Sequence, residues 1–444
     1  MLTVLFGAGT TGHDLDPQRV EVFGSALART ESGTLTAGEL YAALGRTLEG
    51  ELRLEGVEAE EDVVFAGSDG LAVRTDSLVA DALSETVELR GAGSVIESRG
   101  ATIVGSDLRV DGRNRRARVV GAGSFEQTLP EADGGGRVTA SWVSGMTFDD
   151  YTGVVESVGG VVVDSRPGSL ERDQVRSERV VLTLSPYREA SEGDDTPAGE
   201  RELWNAVAYG SEDGEGNPLP ASVESRVFSS ANAELVERLL FLEGMRIELD
   251  TRAGEGEGVL TVPGAGKLLL LDRRERAGAR PPESEEARDR ALMSELASGG
   301  PGLTRFEWRG SMALSRASGV ADMTRAVRVT HKNLVSGETY QLHAERLTAV
   351  VREDDGERGD LELMRGEASG AVYFGSAERE LIADRLLYDA ANGVVIGTAA
   401  EGNLVTLFDA TRGTPLTSRA IRWDLENDVI SVERPGAIVA PVGP

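Results

Sequence analysis

The chain has 444 residues, 75 acidic side chains against 46 basic ones, a formal net charge of −29, 55 glycines, 5% aromatics and no cysteine. The acidic balance excludes nucleic acid as a partner, because a phosphate backbone needs a basic face. The missing cysteines exclude disulfides and thiolate metal sites, and no apolar run approaches the roughly 18 residues of a membrane-spanning helix.

Glycine-rich, aromatic-poor composition with many short apolar runs predicts turn-dense β structure. The chain opens with "MLTVL" and then "FGAGTTGHD", in which Gly7, Gly9 and Gly12 spell G-x-G-x-x-G. A dinucleotide site would need a helix directly after that turn and an acid about 20 residues on. The chain instead continues "HDLDPQRVEVFG", with Pro17 and a V-x-V strand, so the glycines read as turn punctuation. Gly-Ala-Gly recurs at 91–93, 121–123 and 264–266, and "VPGAGKLLL" fails as a phosphate loop because Leu268 comes directly after Lys267. "MLTVLF" lacks the basic flank and the length of a secretory signal.

Further along, the chain repeats itself. "SWVSGMTFDDYTGVVESVGGVVV" from Ser141 aligns with "EWRGSMALSRASGVADMTRAVRV" from Glu307. Trp142 falls on Trp308, Met146 on Met312, Gly153 on Gly319, Val161 on Val327 and Val163 on Val329, 166 residues apart. At an offset of 307, Gly12 falls on Gly319, Val20 and Val22 on Val327 and Val329, and Met1 on Trp308. The organisation expected is therefore a first β repeat over 1–130, a second over 131–271 and a third over 304–444. The second carries an acidic insertion at 187–204, and 272–303 is a linker whose "ESEEARDRALMSELA" predicts one short helix within 284–297.

Within the copies runs a shorter pattern: apolar, any, small, any, any, apolar. It occurs as "LTAGEL" (35), "VRTDSL" (73), "IVGSDL" (103), "VRSERV" (175), "VESRVF" (223), "LHAERL" (342), "LIADRL" (381) and "LTSRAI" (416). A small residue two places after an apolar one suits a strand that bends at a sheet corner.

Little here looks catalytic. His13, His331 and His343 are the only histidines, and they fall in turn or strand positions without a repeated partner. No catalytic residue, metal ligand or cofactor site is predicted, and with 75 acids no pair of carboxylates stands out. The informative feature is the apolar stripe that opens each later copy. Trp142, Ser144, Met146 and Phe148 share one face at period 2, as do Trp308, Gly310, Met312 and Leu314. Adding Val161, Val163, Val327 and Val329, these side chains form a core or, alternatively, a loose apolar wall of the kind acyl chains need.

The copies resemble the OstA-like family of lipopolysaccharide-transport periplasmic proteins. The resemblance is carried by "GEASGAVYFGSAERELIADRLLYDAANGVVIGTAAEGNLVTLFD" and "LTSRAIRWDLENDVISVERPG", and is clearest over 361–440. It implies an all-β chain of tandem, stacked half-open β-jellyroll repeats, with at most one or two short helices in linkers. It implies an apolar groove that shields the acyl chains of a lipid or lipopolysaccharide-like amphiphile. Partners would be other OstA-like envelope proteins, joined by edge-strand stacking, in the periplasm. With no signal peptide visible, that location fits if the chain is a fragment of a longer secreted protein or its start is misassigned. The acidic surface offers little to a phosphorylated headgroup, so the lipid would be held by its tails. The competing reading is a structural β-solenoid or cell-surface scaffold with a solid core and no ligand. A third, an enzyme on a parallel β-helix acting on acidic polysaccharide, would need clustered bases or a metal site.

Overall fold

The computed structural model describes residues 1–8, 15–47, 51–98, 100–128, 136–186, 201–230, 232, 234–253, 258–274, 301–353, 361–389, 392–410, 413–424 and 429–435. The expected helix at 284–297, His13 with Gly9 and Gly12, and residues 187–200 of the acidic insertion lie outside them. Among the described residues every helix-or-strand element is a strand, and paired strands run antiparallel. The chain divides into two compact units: Met1–Ser169 with Gln174–Ala206, and Leu170–Asp173 with Val207–Pro444.

The first unit is an up-and-down meander. Strands Leu2–Ala8, Leu15–Thr30, Gly33–Arg46, Leu52–Gly67, Ala72–Asp81, Thr86–Ser98, Ala101–Asp111 and Arg116–Thr128 each pair with the next. The last of these then pairs with two shorter strands, Arg137–Trp142 through its residues 123–128 and Gly145–Asp149 through 116–120. Val154–Arg166 completes the same split, with 162–166 on the first short strand and 154–158 on the second. In the second unit Val320–Asn333, Thr339–Glu353, Leu361–Gly375 and Arg379–Asp389 form a similar meander. Arg379–Asp389 splits its partners between Val394–Thr398 and Val405–Asp409, as does Leu416–Asp424.

Why the long strands bend is written in the hexapeptide pattern. A straight strand sends residues i, i+2 and i+4 to one face. Here the ladder skips a residue just after the small one: Gly38, Asp76, Ser106, Glu345 and Asp384 are each passed over. The extra residue reverses the phase, so i, i+2 and i+5 face inward. Val73, Thr75 and Leu78 are buried together, as are Leu381, Ala383 and Leu386. Both arms of the bent strand thus keep their apolar side chains on the inside of the fold. Each fully buried Leu or Val contributes about 1.5–3 kcal/mol.

The neighbouring strands bend by a wider skip. Gly24–Ser25, Glu61–Asp62, Gly159–Gly160, Arg325–Ala326 and Gly370–Ala371 all have left-handed φ. The inward residues on either side are then four apart: Val22 and Ala26, Ala59 and Val63, Ser157 and Val161, Met323 and Val327, Ala368 and Val372. In Thr86–Ser98 the skip is wider still, Gly91 to Gly93 being passed over against Ala101–Asp111. A Cβ on Gly91 would come within 2.6 Å of the Asp76 carboxylate, and one on Gly370 within 2.7 Å of Glu345 Cβ.

Three readings of the sequence change. "VESRVF" is no corner: Val223 to Val227 run without interruption against Arg238 to Leu242. Trp142 to Phe148 and Trp308 to Leu314 are not straight strands, because each breaks at a corner, between Trp142 and Gly145 and between Trp308 and Met312. At the N-terminus Val20 does not stand where Val327 stands. Val327 lies just past the corner and pairs with Ala344, and the residue that does so in the first unit is Ala26, paired with Ala37. The offset of 307 holds for Ala37 and Ala344, whereas Ala26 lies 301 residues before Val327, because the hairpin joining the two strands is six residues longer there, in its turn and in its arms.

Candidate functional site

The inner faces of the bent strands form the candidate site. Its vertex is closely packed. Ala26, Ala37, Ala59, Val63, Leu78, Leu89, Leu108, Val119 and Val161 belong to one buried cluster with Trp142 and Met146. Alanines at 26, 37 and 59 stand beside larger side chains there, Leu78, Leu89, Leu108, Trp142 and Met146. Farther along the arms burial falls: Leu35, Phe65, Ile103, Phe125, Phe148, Val155 and Val163 pack on that cluster but are only partly buried.

The ten residues singled out from the sequence divide along this gradient. Trp142, Met146, Val161, Trp308, Met312 and Val327 are buried at the vertex. Phe148, Val163, Leu314 and Val329 are half-buried on the arms. Within the first unit Phe148 and Val163 lie on opposite arms, since Phe148 pairs with Ala117 and Val163 with Ala140. In the second unit Leu314 pairs with Ala321 and Val329 with Phe306, again on opposite sides of a corner.

The two tryptophans are seated alike. Trp142 lies opposite Gly123 and Trp308 opposite Gly266. A Cβ on either glycine would fall within 2.8 Å and 2.5 Å, respectively, of the indole Cζ2, so the ring occupies the space a side chain would need. Their polar edges differ. Trp308 Nε1 donates to the Gly264 carbonyl at 2.9 Å. Trp142 Nε1 is buried without a hydrogen-bond partner. At the matching corner Gly121 has φ of 79°, a left-handed turn that Gly264 does not make. Ser177 Oγ is the other buried side-chain polar atom without a partner among the described residues. By contrast the Thr75 hydroxyl is fully used, 2.7 Å from Ser94 Oγ and bonded to the Ser77 and Arg90 carbonyls.

Charged groups keep to the outside of the bend and to the lips of the arms. On the bend, Asp76 accepts the Ala92 N–H, Glu178 the Gly160 N–H and Asp384 the Ala400 N–H, each binding a neighbouring corner's backbone. Those bonds hold the Asp384 carboxyl below the usual range, the Ala400 N–H first and the Asn403 amide second. On one lip of the first unit, Asp81, Asp111 and Asp149 each close a turn by accepting backbone N–H groups. Above Phe148 the Arg201 guanidinium lies 5.8 Å from the ring centroid and also engages Asp150.

In the second unit the inner face ends in polar groups. His331 is buried, with Nδ1 2.8 Å from Thr304 Oγ1, and its burial lowers its pKa. Tyr340 beside it stacks on Phe374 at 6.4 Å. Arg379 pairs with the buried Asp409 at 3.3 Å and lies 4.9 Å over the Trp423 ring. Since Arg379 and Trp423 sit on opposite arms, that contact ties the arms together. Among the described residues no group of three or more His, Asp or Glu is gathered as a metal site.

Sequence reasoning missed the arginine-rich lip, "RVDGRNRRAR" at 109–118, which carries five arginines and one acid in an otherwise acidic chain. That local charge reversal was the available signal.

No family model matches the chain, and neither does any curated protein. Among solved structures, LptH, the LptA homologous periplasmic component of the conserved lipopolysaccharide transport device from Pseudomonas aeruginosa, aligns over 30% of this chain and 92% of its own. The identity is 16% and the TM-score 0.22, a partial match. The TcdB2-TccC3-TEV structure aligns over 97% of this chain and 30% of its own, at 7% identity and a TM-score of 0.08. Neither likeness is strong enough to carry an argument about function.

Proposed function

We propose that this chain is a lipid-binding, lipid-bridging β protein of the cell envelope, whose folded sheets act as half-open jellyrolls shielding the acyl chains of a lipopolysaccharide-like amphiphile. The observation that carries the reading is the burial gradient. A solid core would bury the inward residues of both arms alike; in the first unit burial is complete at the vertex and declines along the arms, leaving Phe125, Phe148, Val155 and Val163 partly open, whereas in the second unit it extends outward to Tyr340, Val394 and Trp423. In the first unit such a wall is apolar and adaptable, as a hydrocarbon chain requires. The reading places the protein in the periplasm. It gives the Leu2–Ala8 strand, with Leu2, Leu5 and Phe6 exposed, the role of an edge for stacking against another folded sheet of the same kind.

The test is binding of dodecyl maltoside, kept below its micellar concentration, to the full chain by calorimetry. Val163→Arg and Val329→Arg place a charge on the half-buried wall of each unit. They are expected to abolish binding while leaving the far-UV circular dichroism unchanged. Trp308→Arg, at the buried vertex, is expected to unfold its unit instead. Absence of binding by the unsubstituted chain refutes the lipid reading and leaves the solid-core scaffold.

A further inference from the structure

Cross-strand pairing in the first unit draws two continuous rows across the bent sheet. One begins at Ala28 and passes from partner to partner through Phe65, Ile103 and Phe125 to Val163. The other begins at Val20 and passes through Val87 and Phe148 to Val155. Directly opposed residues share a face, and every member of both rows is Ala, Val, Leu, Ile or Phe. Each row crosses nine strands, a length of about 38 Å at the usual strand spacing of about 4.8 Å.

The rows flank the vertex, one on each arm. Val73 is buried and Val110 exposed, and the other members are half-buried. Between the rows lies the buried cluster, whose polar groups at mid-length bond each other, Thr75 Oγ1 to Ser94 Oγ. No charged or polar side chain interrupts either row, so nothing marks a place where a short chain should stop. The second unit differs. There the half-buried Val329 and Leu342 lead directly into Phe374, Leu381 and Leu407, which are buried, so the open wall is only a few strands wide.

We propose that the first unit takes one long hydrocarbon chain lengthwise, across the strands, and that the chain is well beyond the length of an ordinary acyl tail. The proposal rests on reading this wall as an acyl-chain surface, and it adds that the wall selects for length. Apolar contact accrues by a nearly constant amount for each buried methylene. A uniform wall therefore favours the longest chain that it can still cover. An extended chain of about 30 carbons matches a row of about 38 Å, whereas a dodecyl tail covers less than half of it.

The experiment measures binding of radiolabelled dodecanol and tetracosanol to the full chain, each delivered from cyclodextrin and corrected for its affinity for that carrier. Both probes are uncharged, so the acidity of the chain does not bias the comparison. Tetracosanol is about as long as the span of about 29 Å from Val163 to Phe65, and is expected to bind at least about tenfold more tightly than dodecanol. Phe65→Arg is expected to weaken tetracosanol by at least about tenfold, the loss of two methylene contacts at roughly fourfold each. The same substitution should leave dodecanol unchanged, because the short chain sits at the Val163 end beside the open Phe125, Phe148 and Val155. Val163→Arg is expected to weaken both alcohols. Tetracosanol that binds no more tightly than dodecanol, or that ignores Phe65→Arg, overturns the lengthwise site while the acyl-chain reading stands. Equal weakening of both alcohols by Phe65→Arg overturns it as well. Binding of neither alcohol refutes the acyl-chain reading, and the lengthwise site with it. Loss of folding in Phe65→Arg, seen by circular dichroism, would move the test to Phe65→Thr, which keeps a strand-forming residue and carries no charge.

Discussion

Trp142 and Trp308 offer a matched pair in which one hydrogen bond is made and the other is missing. Both rings are buried, at 3% and 2% exposure, and both lie against a glycine. Replacing either by Phe removes similar packing, so that loss cancels when the two variants are compared. The remaining difference is polar. Trp308→Phe breaks the bond to Gly264, whose carbonyl is only partly buried, a cost of about 1 kcal/mol. Trp142→Phe removes a buried donor that has no partner, and relieves a penalty of about 1–3 kcal/mol. The second substitution should therefore be milder than the first by roughly 2–4 kcal/mol. Because two units need not unfold together, a single melt is the wrong readout. Native-state hydrogen exchange resolved by peptide measures each unit separately, using the strands flanking each corner, 116–128 and 266–272. Equal losses in the two units would refute the reasoning. That result would mean that a water or a local shift satisfies Trp142 as fully as Gly264 satisfies Trp308.

Ala326, at φ of 48° on a corner where the first unit has Gly160 at 58°, pays for a side chain in left-handed backbone. Ala326→Gly should stabilise its unit by about 0.5–1 kcal/mol, measured by urea unfolding, once glycine's greater freedom in the unfolded chain is deducted from the roughly 1–2 kcal/mol of relief. His331 has a depressed pKa in the folded state, so the unfolded chain binds the proton more readily. The stability it contributes is present above its ordinary pKa of about 6.5 and is lost as pH falls below it toward the depressed folded value. Hydrogen exchange resolved by peptide over 320–333, corrected for the intrinsic pH dependence of exchange, should show this fall between pH 7.5 and pH 5, and His331→Asn should flatten it. An unchanged slope would assign the fall to other groups.

How much of the fold is legible in the sequence turns on what a corner demands. Where the corner skips one residue, a side chain sits inward on each side of it and only its spacing shifts, from two to three. That shift is visible as the hexapeptide, and Leu35, Ala37 and Leu40 or Leu381, Ala383 and Leu386 can be picked out from it. Where the corner skips two, the requirement falls on backbone conformation. Gly159–Gly160 announces it, but Glu61–Asp62 and Arg325–Ala326 adopt the same left-handed angles with residues that carry no such signal. Corners of this second kind are thus largely silent, and the N-terminal alignment slips because its corner, Gly24–Ser25, does not stand out as one. The same limit explains "VESRVF". Its letters fit the corner, but its neighbour Arg238 to Leu242 offers no compensating skip, and a strand bends only where both partners of the ladder bend together. The candidate wall obeys the same logic. Tryptophan and methionine attract notice because they are rare here, yet Trp142, Met146, Trp308 and Met312 are buried at the vertex. The residues left half-buried are the commoner Val163, Val329 and Phe148 farther out, and the arginine-rich turn at 111–116 meets the turn at 149–154 only in the folded sheet. A pattern one strand long carries the first kind of information. The second exists only after two turns separated by more than thirty residues have been brought edge to edge by the Asp150 and Arg115 backbone.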